Sequence, residues 1–442
     1  MKKNLFEKVL ILLLATILMS AFNLQQVKAW TGETIIIHSD GSIEPMGAPL
    51  TTIDNITYTL TDYVISNEDG IVVERDNVII DGKGFNIKGN ISTGASIIGI
   101  KLEDRKNITI KNIQIMNFTK GILINRSLNI VIKENNITNN GFGIESYNLS
   151  NSNICNNYII NNRGDLDARG GLALENSSYN NIMRNNILNN SIGIKVRSSS
   201  YNNIYHNNFV NNTVQVHTDE SSLMNDWDDG YPSGGNYWSD YDGVDEKSGP
   251  NQNQPGSDGI GDTLYPVNPY SNATMYDNDY YPLMGKFYYY PLIDISEIIS
   301  IVSNSVVSDF RLNRTIFLIS FRVTGLRYSS GFCRVMIPNI LFEGMWGDEG
   351  RFSVLLDDEP IPFRTMNQPY DKENTFIYFS YTHSEHEIKI LYSPPPVGGK
   401  IVPETNANPS LIKFMESLSY WYVLIVLITI MVSTVISIKK KR

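Results

Sequence analysis

Cysteine and histidine are scarce in this chain. Its 442 residues include two cysteines, Cys155 and Cys333, and five histidines. Because the two cysteines fall in different predicted segments, a framework of disulfide bonds is excluded. Cys155 stands at an apolar position of a strand-like run, so we expect it in a hydrophobic core rather than as a metal ligand.

Positive charge is also in deficit. Lysine and arginine number 36 against 46 aspartates and glutamates, which gives a formal net charge of −10 at pH 7. Proteins that bind nucleic acids neutralise phosphates with basic residues, so a nucleic-acid partner is not expected. Cations and basic surfaces are better partners for an acidic chain.

The start of the sequence resembles an export signal. Two lysines precede an apolar run over residues 9–19, and the small residue Ala29 follows. This order is typical of a secretory signal peptide, predicted over residues 1–29 with cleavage after Ala29. An uncleaved N-terminal anchor is the alternative, and in both cases the rest of the chain is exported.

A second apolar run lies at the other end. It extends from Trp421 to Ile438 without a charge and is followed by four basic residues, 439–442. About 20 apolar residues span a bilayer core of roughly 30 Å, so this run predicts a transmembrane helix over residues 420–438. The basic residues 439–442 should form a cytoplasmic tail. The expected location is the cell membrane, crossed once, with the bulk of the chain extracellular.

An internal repeat occupies the middle of the chain. Each unit contains an apolar strand, paired asparagines around an apolar pair, and a strand with glycine. Short β-branched runs with alternating polarity are strands, and stacked coils bury their apolar residues in one shared interior. The pattern predicts an all-β chain built on a right-handed parallel β-helix over residues 76–225. Five units align with spacings of 22, 24, 28 and 22 residues, and they begin at Asn107, Asn129, Asn153, Asn181 and Asn203.

The repeated asparagines fit this architecture. Identical polar residues that stack coil on coil form side-chain ladders, and asparagine tolerates the left-handed backbone of tight corners. The leucine spacing and helical segment of leucine-rich repeats are missing. The regular isoleucines and valines argue against a disordered asparagine-rich tract.

The coils resemble the NosD-type, or carbohydrate-binding and sugar hydrolase (CASH), β-helix repeats of many archaeal and bacterial surface proteins. The resemblance covers residues 70–225 and implies the fold more specifically than the function. With the membrane anchor, it implies an archaeal cell-surface protein. NosD is associated with copper insertion, but clusters of soft copper ligands are missing from the coils.

An aromatic and acidic segment follows over residues 226–290. A solenoid needs a cap because its open end is an unpaired edge. We expect four aromatic residues to cover the last coil. The segment is similar to the one that closes NosD-like β-helices, through the motifs at 236–241, 258–262 and 281–283. The four aromatic residues are Trp227, Tyr237, Trp238 and Tyr265.

Five aspartates of this cap allow two interpretations. Calcium prefers several oxygen ligands, and closely spaced aspartates with glycine supply them. The alternative is that aspartate and glycine only form turns. An EF-hand is excluded because no glutamate stands at the closing position. The candidate calcium ligands are Asp240, Asp242, Asp245, Asp258 and Asp262.

Three further segments complete the chain. Residues 30–75 are predicted to form an N-terminal β-rich cap, and residues 294–393 a small β-sandwich of short strands. The proline-containing residues 394–415 should form an extended stalk to the membrane. Within the sandwich, His383 and His386 are expected to mark an exposed hairpin turn rather than a metal pair.

Catalytic candidates are confined to an insertion that lengthens one coil. Residues 163–169 supply both acids and arginines, and loops on a rigid solenoid often carry function. The candidates are Asp165, Asp167 and Arg169, while the alternative is a solvated glycine-rich loop. Elsewhere the coil faces are expected to show asparagine and serine. For an exported chain, the candidate glycosylation sites are Asn55, Asn272 and Asn313.

Three functional hypotheses follow. The first is a non-enzymatic, membrane-anchored extracellular module with a binding or structural role, whose partners are glycans or other cell-envelope components. The second is a polysaccharide lyase or glycoside hydrolase on the β-helix, the latter of which needs two carboxylates facing one bond. The third is a NosD-like accessory in metal maturation.

Overall fold

The computed structural model describes residues 30–90, 96–163, 170–267, 277–346, 352–366, 371 and 373–392. Among these residues, no helix is long and apolar enough to cross a membrane. Four predicted segments lie outside the described residues, namely the signal peptide (1–29), the stalk (394–415), the transmembrane helix (420–438) and the basic tail (439–442).

Three long sheets dominate the described part of the chain, and we call them sheets 1, 2 and 3. Sheet 1 is parallel and contains, in spatial order, β1 (Trp30–Gly32), β6 (Val64–Ser66), β9 (Asn86–Gly89), β12 (Gln114–Met116), β15 (Asn136–Thr138), β18 (Tyr158–Ile160), β21 (Asn186–Leu188), β24 (Asn208–Val210) and β26 (Tyr237–Trp238).

Sheet 2 is parallel except for its last pair, in which β3 runs antiparallel to β2. Its order is β25 (Val214–Thr218), β22 (Ile192–Arg197), β19 (Leu172–Glu175), β16 (Phe142–Tyr147), β13 (Lys120–Asn125), β10 (Ile98–Glu103), β7 (Ile71–Val73), β2 (Ile35–Ile37) and β3 (Ile43–Glu44).

Sheet 3 likewise ends in one antiparallel pair, β5 with β4. Its order is β23 (Asn203–Tyr205), β20 (Asn181–Met183), β17 (Asn153–Cys155), β14 (Leu128–Lys133), β11 (Lys106–Lys111), β8 (Val78–Asp81), β5 (Thr57–Leu60) and β4 (Leu50–Thr52).

Successive coils stack isoleucine on isoleucine. In sheet 2, Ile100 pairs with Ile122 and Ile122 with Ile144, and all three side chains are fully buried. Burying such a side chain contributes about 1.5–3 kcal/mol, so the repeated register stabilises every coil. Each repeat supplies one strand to each sheet, which confirms the predicted parallel β-helix.

The first coils begin earlier than the repeats suggest. Within residues 30–75, predicted as a separate cap, β1 pairs in parallel with β6 and β2 with β7. These strands are therefore part of the solenoid. Only the antiparallel strands β3 and β4 close its first edge.

A glycine row allows the coils to approach closely in sheet 2. A Cβ atom on Gly121 would lie 2.6 Å from the carbonyl oxygen of Gly143, and one on Gly143 would lie 2.4 Å from that of Gly171. Contacts this short exclude any side chain. The glycine in each repeat therefore serves the stacking of neighbouring coils.

The two asparagines of each Asn-Asn pair have different roles. Asn156 and Asn161 adopt left-handed φ angles of 60° and 55°, which turns the chain at a corner. The next residues, Asn157 and Asn162, are fully buried and hydrogen-bonded to the neighbouring coils. Buried ladders of this kind include Asn135, Asn157, Asn185, Asn207 and Asn236, and also Asn140, Asn162, Asn190 and Asn212.

The cap adds short strands after the last coil. Strand β26 continues sheet 1, and two small antiparallel pairs follow it. These pairs are β27 (Lys247–Ser248) with β28 (Gln254–Pro255), and β29 (Tyr265–Pro266) with β30 (Asn278–Asp279).

The C-terminal described region contains two five-stranded antiparallel sheets that share one apolar core, as a β-sandwich requires. It begins at Lys286, earlier than predicted, and includes one helix, α1 (Asn339–Trp346). One sheet has the order β31 (Lys286–Leu292), β32 (Glu297–Ser303), β35 (Ser330–Pro338), β39 (Asn374–Thr382), β38 (Arg364–Met366). The other has β33 (Val306–Asn313), β34 (Leu318–Thr324), β40 (Glu385–Tyr392), β36 (Phe352–Leu356), β37 (Glu359–Pro360).

The sandwich is docked directly onto the last coil. The buried Asn208 side chain accepts a hydrogen bond from the Phe287 amide at 2.7 Å and donates one to its carbonyl at 2.9 Å. The Phe287 ring stacks on His206 with 4.4 Å between centroids. These contacts hold the first sandwich strand against the last coil at sheet 1 and at the corner after sheet 3. None of them includes a residue of sheet 2.

Candidate functional site

The outward face of sheet 2 carries charged side chains on consecutive coils. In β16, Ile144 and Ser146 are fully buried, so Glu145 and Tyr147 point outward because side chains alternate along a strand. Adjacent strands β13, β19 and β22 add further acids and bases at neighbouring positions. We define the charged patch as Lys120, Glu145, Tyr147, Glu175, Lys195 and Arg197.

Glu145 is at the centre of the first half of the patch. It is 3% exposed, although it lies on the outward face, because neighbouring side chains cover it. Its carboxylate forms an ion pair with Lys120 and accepts a hydrogen bond from the Tyr147 hydroxyl at 2.9 Å. The Lys120 ammonium also lies 5.9 Å from the centroid of the Tyr147 ring.

Glu175 forms the second half on the next coil. It is the register partner of Tyr147, so Tyr147 has Glu145 two residues before it on its own strand and Glu175 beside it on the next coil. The Lys195 ammonium donates a hydrogen bond to Glu175 at 3.1 Å, and the Arg197 guanidinium lies 4.0 Å from the same oxygen. Each carboxylate therefore has a basic partner.

Tyr147 is a hydrogen-bond donor at neutral pH. Burial raises the pKa of its phenol well above the usual value, and the negative charge of Glu145 raises it further. The phenol therefore keeps its proton and is a poor general base. The patch as a whole combines carboxylate acceptors with ammonium, guanidinium and phenol donors on a rigid sheet.

This patch was not predicted from the sequence, which led us to expect coil faces with far more asparagine and serine than charge. Sheet 2 departs from that expectation, whereas sheet 3 has Asn153, Asn181 and Asn203 at successive positions. A signal was available, since Tyr147, Glu175 and Arg197 are separated by 28 and 22 residues, which are the coil spacings themselves. The alternation within each short strand was needed to assign these positions to one face.

Of the predicted catalytic insertion, the structure describes only Arg163. Asp165, Asp167 and Arg169 lie outside the described residues. At its start, Arg163 donates a hydrogen bond from Nε to the carbonyl of Asn189 at 2.9 Å. A catalytic role of the insertion stays a prediction.

The cap aspartates accept hydrogen bonds from loop backbone. Asp245 accepts from the amides of Asp258 and Gly259 at 2.9 and 2.8 Å. Asp262 accepts from two other amides, at 3.2 and 3.1 Å. Burial raises the pKa of Asp245 to about 7, which disfavours the charged form that a cation requires.

The other three aspartates have different surroundings. Asp240 accepts hydrogen bonds from the hydroxyl of Tyr265 and the amide of Gln215, while Asp258 is buried and bonds the Ile260 amide. Asp242 is exposed. Within the described ranges, no group of three or more acids, histidines or cysteines is placed to hold a metal ion. Calcium binding by the cap stays a prediction, and these contacts support the turn-forming alternative.

The cap aromatics form a stack on the last coil. The buried Trp238 ring lies between Phe209 and Tyr265, with centroids 4.3 Å away on both sides. The buried Trp227 ring lies 6.2 Å from Trp238. Tyr237 is half-buried and packs against a second cluster between cap and sandwich. The aromatic residues thus extend the solenoid core into the cap.

The two sandwich histidines do flank a hairpin turn, but His383 is buried and not exposed. Its ring nitrogens lie 2.8 Å from the Ser305 hydroxyl and 2.6 Å from the Ser329 hydroxyl. His386 lies 2.6 Å from the Asp357 carboxylate. Both rings are held by neighbours within the sandwich, which explains their proximity without a metal.

Cys155 is not in the core as expected. It is half-buried on the outward side of sheet 3, because Ile154 before it points inward, and it is the register partner of Met183. Folding thus brings two soft sulfur donors together. Burial raises the pKa of the Cys155 thiol, so the thiolate that binds metals is disfavoured.

The candidate glycosylation sites differ in accessibility. Asn55 and Asn313 are exposed, as a modified asparagine must be. Asn272 lies outside the described residues. Use of these sites stays a prediction.

Two stretches of the chain, residues 46–170 and 166–243, match the family model described as periplasmic copper-binding protein (NosD). A comparison with curated protein sequences finds no match.

Several solved structures are similar at low scores. The A-module of a mannuronan C-5 epimerase from Azotobacter vinelandii has 13% identity and a TM-score of 0.30 over 45% of this chain and 53% of that one. The tailspike protein of E. coli bacteriophage HK620 in complex with a pentasaccharide has 8% identity and a TM-score of 0.29 over 77% and 65%. The chain therefore spans about half the length of the epimerase module.

Structural similarity at TM-scores this low does not indicate the substrate or the mechanism. The assignment depends on the family match and on the three sheets with their coil-by-coil register. Together they support a NosD-like parallel β-helix family for residues 46–243.

Proposed function

We propose that this protein is a membrane-anchored extracellular β-helix module that binds glycans through the charged patch. The observation that carries the proposal is the arrangement around Tyr147. Its phenol donates a hydrogen bond to Glu145, its register partner on the next coil is Glu175, and each carboxylate is paired with a lysine. Export and anchoring are inferred from the apolar runs of the sequence alone.

The chemistry of the patch suits sugar hydroxyls. Each hydroxyl both donates and accepts hydrogen bonds. The more exposed members of the patch, Tyr147, Glu175 and Arg197, offer donors and an acceptor side by side. Its acids and bases are nearly balanced, which does not favour polyphosphates or nucleic acids. The side chains stand on paired strands, so little conformational freedom is lost on binding.

Polysaccharide cleavage is the second candidate. It is favoured by the presence of two carboxylates, Glu145 and Glu175, on one face, which hydrolysis requires. Against it, both carboxylates are paired with lysines, and the Tyr147 phenol keeps its proton. These contacts favour binding over acid–base chemistry.

Copper handling, which the family description suggests, does not fit the described residues. Copper prefers clustered sulfur and imidazole donors. Cys155 and Met183 are register partners on sheet 3, but burial raises the pKa of the Cys155 thiol and so disfavours the thiolate. The His206 ring is stacked on Phe287.

The test is binding of the purified full-length chain to immobilised acidic and neutral polysaccharides, with retention and released oligosaccharides measured together. We expect retention without products. Tyr147→Phe removes the donor to Glu145, and Glu175→Gln removes a charge from the Lys195 pair. Both variants should lose at least tenfold in affinity for the retained polymer.

Matched controls separate the patch from general surface effects. Tyr158→Phe alters a tyrosine that is 52% exposed on sheet 1, and Glu134→Gln alters an exposed glutamate outside sheet 2. Both should bind as the wild type does. Wild-type retention in the folded patch variants would refute binding through this patch, whereas released products that vanish in them would favour cleavage.

A further inference from the structure

A second row of exposed side chains follows the corner between sheets 2 and 3. Asn151, Tyr179, Tyr201 and Met224 occupy the same place on four successive coils. Ser150 pairs with Ser178, and the Tyr201 amide donates a hydrogen bond to the Met224 carbonyl, which establishes the register. All four residues have left-handed φ angles, of 49°, 62°, 59° and 62°.

Tyrosine is an unusual choice for this corner. The earlier coils have asparagine here, at Asn77, Asn107 and Asn129, with φ angles of 60°, 58° and 55°. Asparagine tolerates the left-handed region, whereas an aromatic residue is rarely found there. Two successive tyrosines therefore adopt a backbone conformation that tyrosine disfavours. Backbone strain that is retained at one place indicates that these side chains have a function there.

The two tyrosine rings are stacked but unequally covered. Their centroids are 5.1 Å apart and their planes differ by 4°. Tyr201 has Tyr179 on one side and the Met224 position on the other. Tyr179 has only the shorter Asn151 on its far side, and it is accordingly 60% exposed against 49% for Tyr201. One face of the Tyr179 ring is therefore open along the solenoid axis.

An amide ladder lies directly beside this open face. On sheet 3, Asn181 donates a side-chain hydrogen bond to Asn153, and Asn203 donates one to Asn181, both at 2.8 Å. Each amide group has two N–H bonds, and these ladder bonds use one of them. The ladder therefore retains donors and lone pairs for an outside ligand, with one amide on each coil.

We propose that Tyr179 and the adjoining ladder amides of Asn153 and Asn181 bind one hexopyranose unit of a neutral sugar chain. The sugar ring packs parallel to the open face of Tyr179, and its hydroxyls donate and accept hydrogen bonds at the amides. A linear chain extends roughly in the plane of its sugar rings, so the bound chain crosses the solenoid axis. This inference rests on the proposed glycan-binding function and adds a second site.

The site differs from the charged patch in the ligand that it selects. Its members are uncharged, so they offer no ion pair to an acidic sugar. Stacking on Tyr201 holds the Tyr179 ring in place in the free protein. A sugar therefore packs on a rigid aromatic surface at little cost in conformational entropy.

The experiment is calorimetric titration of the full-length chain with two defined probes, the β-1,4-linked hexamers of glucose and of mannose. The variant is Tyr179→Asn, which restores the residue that earlier coils carry and suits the left-handed backbone. We expect at least one hexamer to bind the wild type and to bind Y179N at least tenfold more weakly. The melting temperature of Y179N should equal or exceed that of the wild type.

Two further variants test the site itself. Tyr158→Phe, at the exposed sheet 1 position outside both proposed sites, should leave hexamer binding unchanged, and Asn181→Ala should weaken it. Equal binding by Y179N and wild type, or no binding of either hexamer, would overturn the inference. If acidic polysaccharides are then still retained, the proposed function survives without this site, whereas loss of all glycan binding would reject both.

Discussion

The indole nitrogen of Trp238 donates a hydrogen bond to the buried carboxylate of Asp279 over 2.8 Å. The same oxygen accepts a bond from the Asn236 amide at 2.7 Å, and the other oxygen accepts one from the Tyr281 amide at 3.1 Å. Asp279 is fully buried. One carboxylate therefore joins the aromatic stack, the end of the last asparagine ladder and the final strand of the cap.

Asp279→Ala should destabilise the protein strongly. It leaves three N–H donors without an acceptor, and each buried donor costs about 1–3 kcal/mol. We expect the free energy of unfolding to fall by at least about 3 kcal/mol in urea titrations followed by circular dichroism. Asp242→Ala, at an exposed cap position, should change it by less than about 0.5 kcal/mol. Similar values for the two variants would show that the cap does not depend on Asp279.

The solenoid could be predicted because its causes are local and repeated. The isoleucines at Ile108 and Ile130 recur at the coil spacing, and each must point inward. The first end of the solenoid was harder to predict, because strands such as Ile35–Ile37 lack the asparagine pairs. Their place depends on pairing with β7 rather than on any local signal.

The site residues could be predicted less well because they depend on contacts between distant residues. The buried His383 ring contacts Ser305, 78 positions earlier, and Ser329, 54 positions earlier. Glu145 joins the charged patch only because Lys120 and Tyr147 lie on its face. Composition suggested asparagine-rich faces, but a face is defined by strand alternation and coil register together.

The buried asparagine ladder should be far more sensitive to substitution than the exposed face. Asn185 accepts two hydrogen bonds from Asn157 and donates to the Ile154 carbonyl at 2.8 Å and to Asn207 at 3.0 Å. Asn185→Ala leaves these buried groups unpaired and should lower the free energy of unfolding by about 2–4 kcal/mol.

The adjacent residue provides the matched control for this ladder. Asn186 is half-buried on the outward face of sheet 1, so Asn186→Ala should cost less than about 1 kcal/mol. Urea unfolding of both variants at one pH gives the comparison. A smaller loss for N185A than for N186A would contradict the role assigned to the internal ladder.

The charged patch should also contribute to stability. Lys120→Met leaves the 3% exposed Glu145 without its cation, which should lower the free energy of unfolding by about 1–3 kcal/mol. Adding Glu145→Gln should recover part of this loss, since no unpaired charge remains. Lys133→Met breaks an exposed pair with Glu134 and should cost less than about 0.5 kcal/mol. Additive losses in the double variant would argue against direct coupling of Lys120 and Glu145.

His206 should make the junction between coil and sandwich sensitive to acid. Burial, together with the positive charges of Arg184 and Arg334, lowers the pKa of its ring from 6.5 to about 3. Below pH 6.5, His206 therefore binds a proton in the unfolded chain but not in the folded chain. The stability contribution is complete above pH 6.5 and is lost as the pH falls, by about 1.4 kcal/mol per pH unit from this group alone.

His206→Asn removes this titration and suits the left-handed backbone at this position, where φ is 58°. The variant loses the stack on Phe287, so its stability at pH 7 should be lower than that of the wild type. Between pH 6.5 and 4, however, its free energy of unfolding should fall less steeply, by about one proton in slope. His217→Asn, at an exposed position, should retain the wild-type slope. If the free energy of unfolding falls with the same slope against pH in H206N and the wild type, the junction accepts a charged imidazole. A difference in slope arises only when the His206 ring stays neutral in the folded state.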